Sequence, residues 1–299
     1  MTNINDLAGY AECGSENIRG YNTSKGCAPK FGILQSIYIT SADVKLTGDF
    51  NKKMFVDLQK EGKLDIITGI LTSSESGTDN IYETLDSGQD LKAGDAVYRY
   101  DLTFNKGEYF NKAITYLAGS NKRVYLVDRN GNIKLANNGG NYQGFLLSMI
   151  DVNKMTMQTD TAASKQSLKI QFASAQEFTQ RAEIIEYSDE LDFNPATLED
   201  KTQAFIKFKT VADADDKIDF ELLVDQGRSS HIVGVSADEA FQLTINGTKE
   251  LVKATETSNV YSITKTIASS DIIELKINKV QEDADGDLYC SAESKIVVP

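Results

Sequence analysis

Residues Lys165-Gln166-Ser167-Leu168-Lys169-Ile170-Gln171-Phe172 alternate polar and apolar without a break. A period of two sets one face of a strand against a core and the other toward water. Upstream, Val124-Tyr125-Leu126-Val127-Asp128 and Asn132-Ile133-Lys134-Leu135 flank Arg129-Asn130-Gly131, and an Asn-Gly step between two such runs reads as a hairpin. The stretch from Lys106 to Phe172 is therefore committed to a β-rich core, broken by one or two helical turns. Nothing in it is arranged for chemistry, which points to a protein that builds something.

The same reading extends along the chain and predicts a mainly β protein. Residues 1 to 30 form a glycine-rich polar leader without a regular period, and Gly32 to Thr40 reads as the first strand. Between Gly48 and Gly62, Phe50, Met54 and Leu58 fall four apart with Phe55 beside them, which predicts a helix of about 12 residues with one apolar face. Gly62 stops it, and Lys60 suits the negative end of the helix dipole. From Asp65 to Asp101 the sequence reads as a long polar loop through Thr72 to Asn80, closing on a strand at Ala96 to Phe104. A second short helix is predicted at Tyr109 to Leu117, then the hairpin, a strand at Phe145 to Val152, and a closing strand ending at Phe172.

The acidic segment Ser188 to Thr197 carries an Asn194-Pro195 turn signal and interrupts the periodicity on both sides. It is the expected junction between a β-sandwich or barrel with one or two flanking helices (residues 31–190) and a second domain (residues 200–299). Strands in the second are predicted at Ala204 to Lys209, Ile218 to Val224, Ala240 to Ile245, Val260 to Thr266, Ile272 to Ile277 and Leu288 to Val298. Turn signals at Asp215-Asp216, Gln226-Gly227, Asn246-Gly247, Ser269-Ser270 and Asp285-Gly286 space them as in an immunoglobulin-like sandwich. The chain has no tryptophan, so the resemblance is to the architecture and not to the immunoglobulin signature.

A chain of 299 residues has room for two such cores. No apolar run approaches the roughly 18 to 20 residues of a membrane span, and the first residues lack a basic flank and apolar stretch; folding in the cytosol is expected. A formal charge of -13 argues against a basic nucleic-acid-binding surface; on charge alone it reads first as plain solubility, and it also suits a wall that nucleic acid slides past. Cys13, Cys27 and Cys290 make neither a disulfide framework nor a zinc or redox motif, and reduced thiols are expected, with a Cys13–Cys27 pair as the alternative that their spacing leaves open.

Candidate chemistry was weighed at each place where residue types allow it. Ser229 and Ser230 precede His231, the sole histidine, but no nucleophile elbow surrounds them. Asp283-Ala284-Asp285-Gly286-Asp287 resembles part of a calcium loop, yet its glycine falls at the fourth position and a strand follows. It reads as a turn tip, as does Asp213 to Asp216. Glu183 and Glu186 are paired carboxylates in an acidic chain, and Gly14, Gly20, Gly26, Gly139 and Gly140 form no phosphate cradle. No catalytic, cofactor-binding or metal-ligating residue is expected, and no enzyme.

Three segments carry a family resemblance: Lys106-Gly107-Glu108-Tyr109-Phe110-Asn111, then Lys122 to Gly131, then Ser167-Leu168-Lys169-Ile170-Gln171-Phe172. In their order after a leader, strand, helix and long loop, Gly32 to Phe172 resembles the tail tube, or major tail, proteins of tailed bacteriophages, especially those of Bacteroidetes-type hosts. The resemblance implies a virion structural protein assembled in the host cytoplasm. It implies hexameric rings of identical copies stacked into a tube, other virion proteins as partners, no membrane, and DNA transit without specific binding. It also implies an appended immunoglobulin-like domain on the outside. The loop from Ile66 to Val97 would then make the ring-to-ring contact. The two leader cysteines depart from the family pattern. Capsid decoration proteins, tail terminators and head-tail ring proteins are built from similar sandwiches and remain alternatives. A surface adhesion or glycan-binding module is a further one, although it would call for exposed aromatic platforms.

Overall fold

The computed structural model describes residue 4 and residues 31–119, 121–161, 163–188, 191–212, 216–224, 230–291 and 293–298. The expected leader, with Cys13 and Cys27, lies outside the described residues apart from residue 4, as do Asp213, Asp215 and Ser229. The chain divides into two compact units, Met1–Phe55 with Lys63–Glu199, and Val56–Gly62 with Asp200–Pro299. Both are mainly β, with few helices and several sheets.

In the first unit the strands are β1 (Leu34–Ser41), β2 (Leu64–Thr68), β3 (Thr72–Glu75), β4 (Ile81–Thr84), β5 (Asp90–Gly94) and β6 (Arg99–Phe104). They continue as β7 (Lys122–Asp128), β8 (Ile133–Asn137), β9 (Tyr142–Gln143), β10 (Phe145–Val152), β11 (Gln166–Phe172) and β12 (Ala182–Ile185). The helices are α1 (Lys52–Lys60), whose residues from Val56 on fall in the second unit, α2 (Glu108–Thr115) and α3 (Ala175–Thr179). One ten-stranded sheet runs β12-β8-β7-β10-β11-β6-β3, with β1 also on β7, β2 on β1 and β9 on β8. β7 is the branch point. β1 follows one of its edges from Ser36 to Ser41, while β10 lies beside its start and β8 beside its end on the other.

Alternation explains the core. Leu168, Ile170 and Phe172 of β11 are buried, and so are Leu102 and Phe104 of β6, Val124 and Leu126 of β7, and Phe145 and Leu147 of β10. Each such side chain contributes roughly 1.5–3 kcal/mol when fully buried. β1 is buried on both faces. Ile37 and Ile39 enter this cluster, and Tyr38 turns the other way, its ring 5.4 Å from Phe55, which lies 5.3 Å from Phe50. Burial pushes the Tyr38 phenol far above its ordinary value, and its hydroxyl donates to the Pro195 carbonyl at 2.5 Å.

Two buried carboxylates fasten loops to this sheet. Asp128 accepts from the backbone N–H groups of Gly32 (2.7 Å), Asn130 (2.9 Å) and Asn132 (2.9 Å), and from the Asn132 amide (2.9 Å). It thereby holds the hairpin turn and the entry to β1 together. Glu177 on α3 meets Arg123 of β7 at 3.1 Å and accepts from Leu146 N–H at 2.7 Å and the Asn138 amide at 2.9 Å. Arg123 in turn donates to the carbonyls of Gly144 (2.7 Å) and Ala42 (3.0 Å). Gly144 is required by close approach, because a Cβ there would lie 2.8 Å from the Val124 nitrogen.

The second unit holds β13 (Thr202–Ala212), β14 (Lys217–Leu223), β15 (Phe241–Ile245), β16 (Thr248–Val252) and β17 (Thr255–Thr257). β18 (Val260–Thr264), β19 (Ile272–Ile277), β20 (Gln281–Glu282), β21 (Leu288–Ser291) and β22 (Ser294–Val297) follow. A six-stranded sheet β17-β18-β14-β13-β21-β20 and a four-stranded sheet β16-β15-β19-β22 share one core, including Ile218, Phe220 and Leu222 from the first and Leu243, Ile273 and Leu275 from the second. That is a sandwich. Asn246 and Gly247 turn β15 into β16 with φ of 50° and 85°, the positive values a tight type I′ hairpin requires.

Four expectations are corrected. The region from Asp65 to Asp101 is not a loop but contains β2 through β5; β3 to β5 are exposed almost throughout, so no apolar alternation marks them. β11 does not close the first domain, since α3 brings Phe178 into the core and β12 pairs with β8. Leu288 to Val298 is two strands in different sheets, and β16 and β17 precede β18. Helix α1 has nine residues and not about 12: the Asn51 side chain accepts from Met54 N–H at 2.9 Å and starts it after Phe50.

Candidate assembly surface

Among the described residues, the separate candidates for chemistry do not gather into one site. Ser230 and His231 are exposed, with the Ser230 carbonyl accepting from Val224 N–H at 2.9 Å and His231 bridged to Leu223. The Asp283 carboxylate accepts from the N–H groups of Asp285 (3.0 Å) and Asp287 (2.9 Å), closing the β20–β21 turn. Burial, and after it the charges of Asp283 and Asp287, push the nearby Tyr289 phenol up to about 12. Glu183 and Glu186 separate. Glu186 is exposed, while burial holds Glu183 above the ordinary 4.5 with the Asn137 amide donating to it at 2.8 Å. Gly139 and Gly140 form the β8–β9 turn, with Gly140 N–H donating to Asn137 at 2.7 Å. Cys290 is half-buried. Among the described residues no group of three or more His, Cys, Asp or Glu is placed to hold a metal ion, and no helix is long and apolar enough to cross a membrane.

The unusual surface is the segment read as a polar loop. The β3–β6 pairing continues past Glu75 through Ser76 N–H to the Arg99 carbonyl (2.9 Å) and the Thr78–Val97 bridge. Asn80 accepts from Ala96 N–H at 2.9 Å, and then β4 and β5 pair as a separate two-stranded ribbon. Residues 72 to 104 are thus one long hairpin whose outer half leaves the sheet. At its base a side chain on Gly77 would land on the Val97 carbonyl oxygen. At its tip Leu85 N–H donates to Gln89 and Gly88 N–H to Leu85, both at 2.8 Å, with Gly88 at φ 78°.

Both faces of the ribbon are in water. Ile81, Tyr82, Leu85 and Leu91 are 58%, 59%, 43% and 54% exposed. On β4 the alternation puts Ile81 and Glu83 on one side, with Leu85 next on that side as the strand enters its turn; the register sets Leu91 opposite Glu83 and Lys92 opposite Tyr82, after a shift between Ile81 and Tyr82. Lys92 is paired with Asp95 at 2.5 Å, and that carboxylate holds the ammonium above its ordinary value.

Helix α2 presents a second exposed face. Its inner side is fixed by buried Ile114 and by Phe110, whose ring lies 5.0 Å from that of Phe104. Its outer side carries Tyr109, 64% exposed, and Tyr116 at the C-cap, 78% exposed, with exposed Lys112 between them. The sequence signals were there in part. Ser87-Gly88 is a turn step between Ile81-Tyr82-Glu83-Thr84 and Asp90-Leu91-Lys92, and Tyr109 and Tyr116 stand seven apart, two helical turns on one face.

No family model matches the sequence, and no curated protein is similar to it. A solved tail of an empty GTA particle, refined helically with C6 symmetry, is similar over 52% of this chain and 96% of that one, at 12% identity and a TM-score of 0.26. Bacteroides ovatus SGBP-B of a mixed-linkage glucan utilization locus, in complex with a mixed-linkage heptasaccharide, is similar over 91% of this chain and 69% of that one, at 12% identity and a TM-score of 0.19. Likenesses this slight carry no argument about fold or role.

Proposed function

We propose that the protein is a structural component of a phage-like virion, a tail tube subunit that joins to copies of itself in stacked rings through the β4–β5 ribbon. One observation carries this reading: a two-stranded ribbon stands clear of its sheet with four large apolar side chains in water. An isolated ribbon of this kind is marginal in water by itself, and an exposed apolar edge promotes association. Such a feature is stabilised when it is buried in a neighbour. The resemblance of Gly32 to Phe172 to tail tube proteins supports the same reading, and the formal charge of -13 suits a lumen to which DNA does not adhere. Residues 200 to 299 would then be an immunoglobulin-like module on the outside of the tube. In this reading the subunit turns over no substrate, binds no membrane, and acts only with its copies and with other virion proteins.

Electron microscopy of the purified full chain in negative stain tests the proposal. Closed rings or hollow tubes are the expected result. Isolated particles that decorate capsids, or rings that cap a portal, would replace the tail tube by another virion role. Isolated particles that bind glycans would remove the virion reading altogether.

A further inference from the structure

The ribbon and the outer face of α2 are complementary in pattern and in charge. Ile81, Glu83 and Leu85 read apolar, acidic, apolar along one side of β4 and into its turn, over about 13 Å of extended chain. Tyr109, Lys112 and Tyr116 read aromatic, basic, aromatic along α2, over about 10 Å of helix. Between Asp79 and Asp95 the chain carries five carboxylates and one lysine, and that lysine, Lys92, is held by Asp95. Between Lys106 and Lys122 it carries three lysines and one glutamate, a basic stretch in an acidic protein. Lys112 is exposed and has no ion pair among the described residues. Among the described residues of one copy, the ribbon strands pair with each other and the ribbon joins the sheet at its base.

We infer that the occupant of the α2 face is the β4–β5 ribbon of a second copy, with Ile81 and Leu85 against Tyr109 and Tyr116 and Glu83 beside Lys112. The contact is heterologous, ribbon to helix, so each copy offers one of each and the association propagates, closing a ring or extending a stack. This inference rests on the assembly reading above and specifies its receiving surface.

The test has three parts, all on the full chain. First, a photo-cross-linking residue replaces Leu91, which stands opposite Glu83 on the same side of the ribbon, in an isotopically light chain mixed with heavy chain lacking it; cross-links are expected from light position 91 to heavy residues 106–122. Second, Tyr109→Ser with Tyr116→Ser is expected to weaken self-association about a hundred-fold in sedimentation equilibrium, with an unchanged melting curve because both rings are exposed. Third, Lys112→Glu is expected to weaken it about ten-fold or more, and Lys112→Glu combined with Glu83→Lys to restore it. Cross-links mapping elsewhere, or α2 variants that assemble normally while ribbon variants do not, would overturn the inference and leave the assembly reading standing. A wild-type chain that stays monomeric at all concentrations would overturn both.

Discussion

Replacing Ile81, Tyr82, Leu85 and Leu91 together by serine separates what the ribbon does for a single copy from what it does between copies. In the monomer these side chains are 58%, 59%, 43% and 54% exposed, so about half of the transfer free energy of each is still to be gained. Full burial of a large apolar side chain is worth about 1.5–3 kcal/mol. The unburied half is therefore about 0.7–1.5 kcal/mol per residue, and about 3–6 kcal/mol for four. At about 1.4 kcal/mol per decade this is a loss of about 10² to 10⁴ in the association constant. The folded monomer loses little, since exposed substitutions away from caps and packed sites fall within about 0.5 kcal/mol each. Sedimentation equilibrium measures the first quantity and urea denaturation of a dilute monomer the second. A fourfold variant that associates as tightly as the wild type would contradict a role between copies, and a monomer destabilised by several kcal/mol would mean that the ribbon belongs to the fold.

Other substitutions test how the sheet is held. Asp128→Ala leaves three backbone N–H groups and the Asn132 amide without their carboxylate, and is expected to cost about 3–5 kcal/mol in urea denaturation. Glu177→Ala strands the buried Arg123 guanidinium and should likewise cost about 3–5 kcal/mol, with Glu177→Gln costing less because it keeps an acceptor. Burial raises the folded-state value of Glu183 above 4.5, so the folded state holds the extra proton in the window just above that pH. Stability should therefore fall as pH rises through the window, and Glu183→Gln should remove that slope in unfolding midpoints measured from about pH 4 to about pH 8.

What was legible in the sequence was whatever burial dictates. β11 repeats in space the alternation of Gln166 to Phe172, and β10 spans the expected Phe145–Val152. The second unit shows the expected order of main strands because Ile218, Phe220 and Leu222, or Ile273, Leu275 and Ile277, have one face to hide. The ribbon was illegible for the opposite reason. β4 and β5 are held by backbone pairing and short links such as Thr84 to Asp90 at 2.6 Å, and neither face is buried, so no hydrophobic period marks them. β12 was obscured by reading Glu183 and Glu186 for their charge, when Ile185 is the buried residue of that strand. In α2 the inward Phe110 and Ile114 announced the helix, while Tyr109 and Tyr116 went unread because a face that waits for a partner obeys no rule within one chain.

The most direct measurement is the mass of the full chain in solution by light scattering, over a range of concentrations, beside a variant in which a short glycine turn replaces residues 79–96. The intact chain should form multimers whose mass rises with concentration, and the shortened chain should remain a folded monomer. An intact chain that is monomeric throughout, or a shortened chain that multimerises equally well, would contradict assembly through the ribbon.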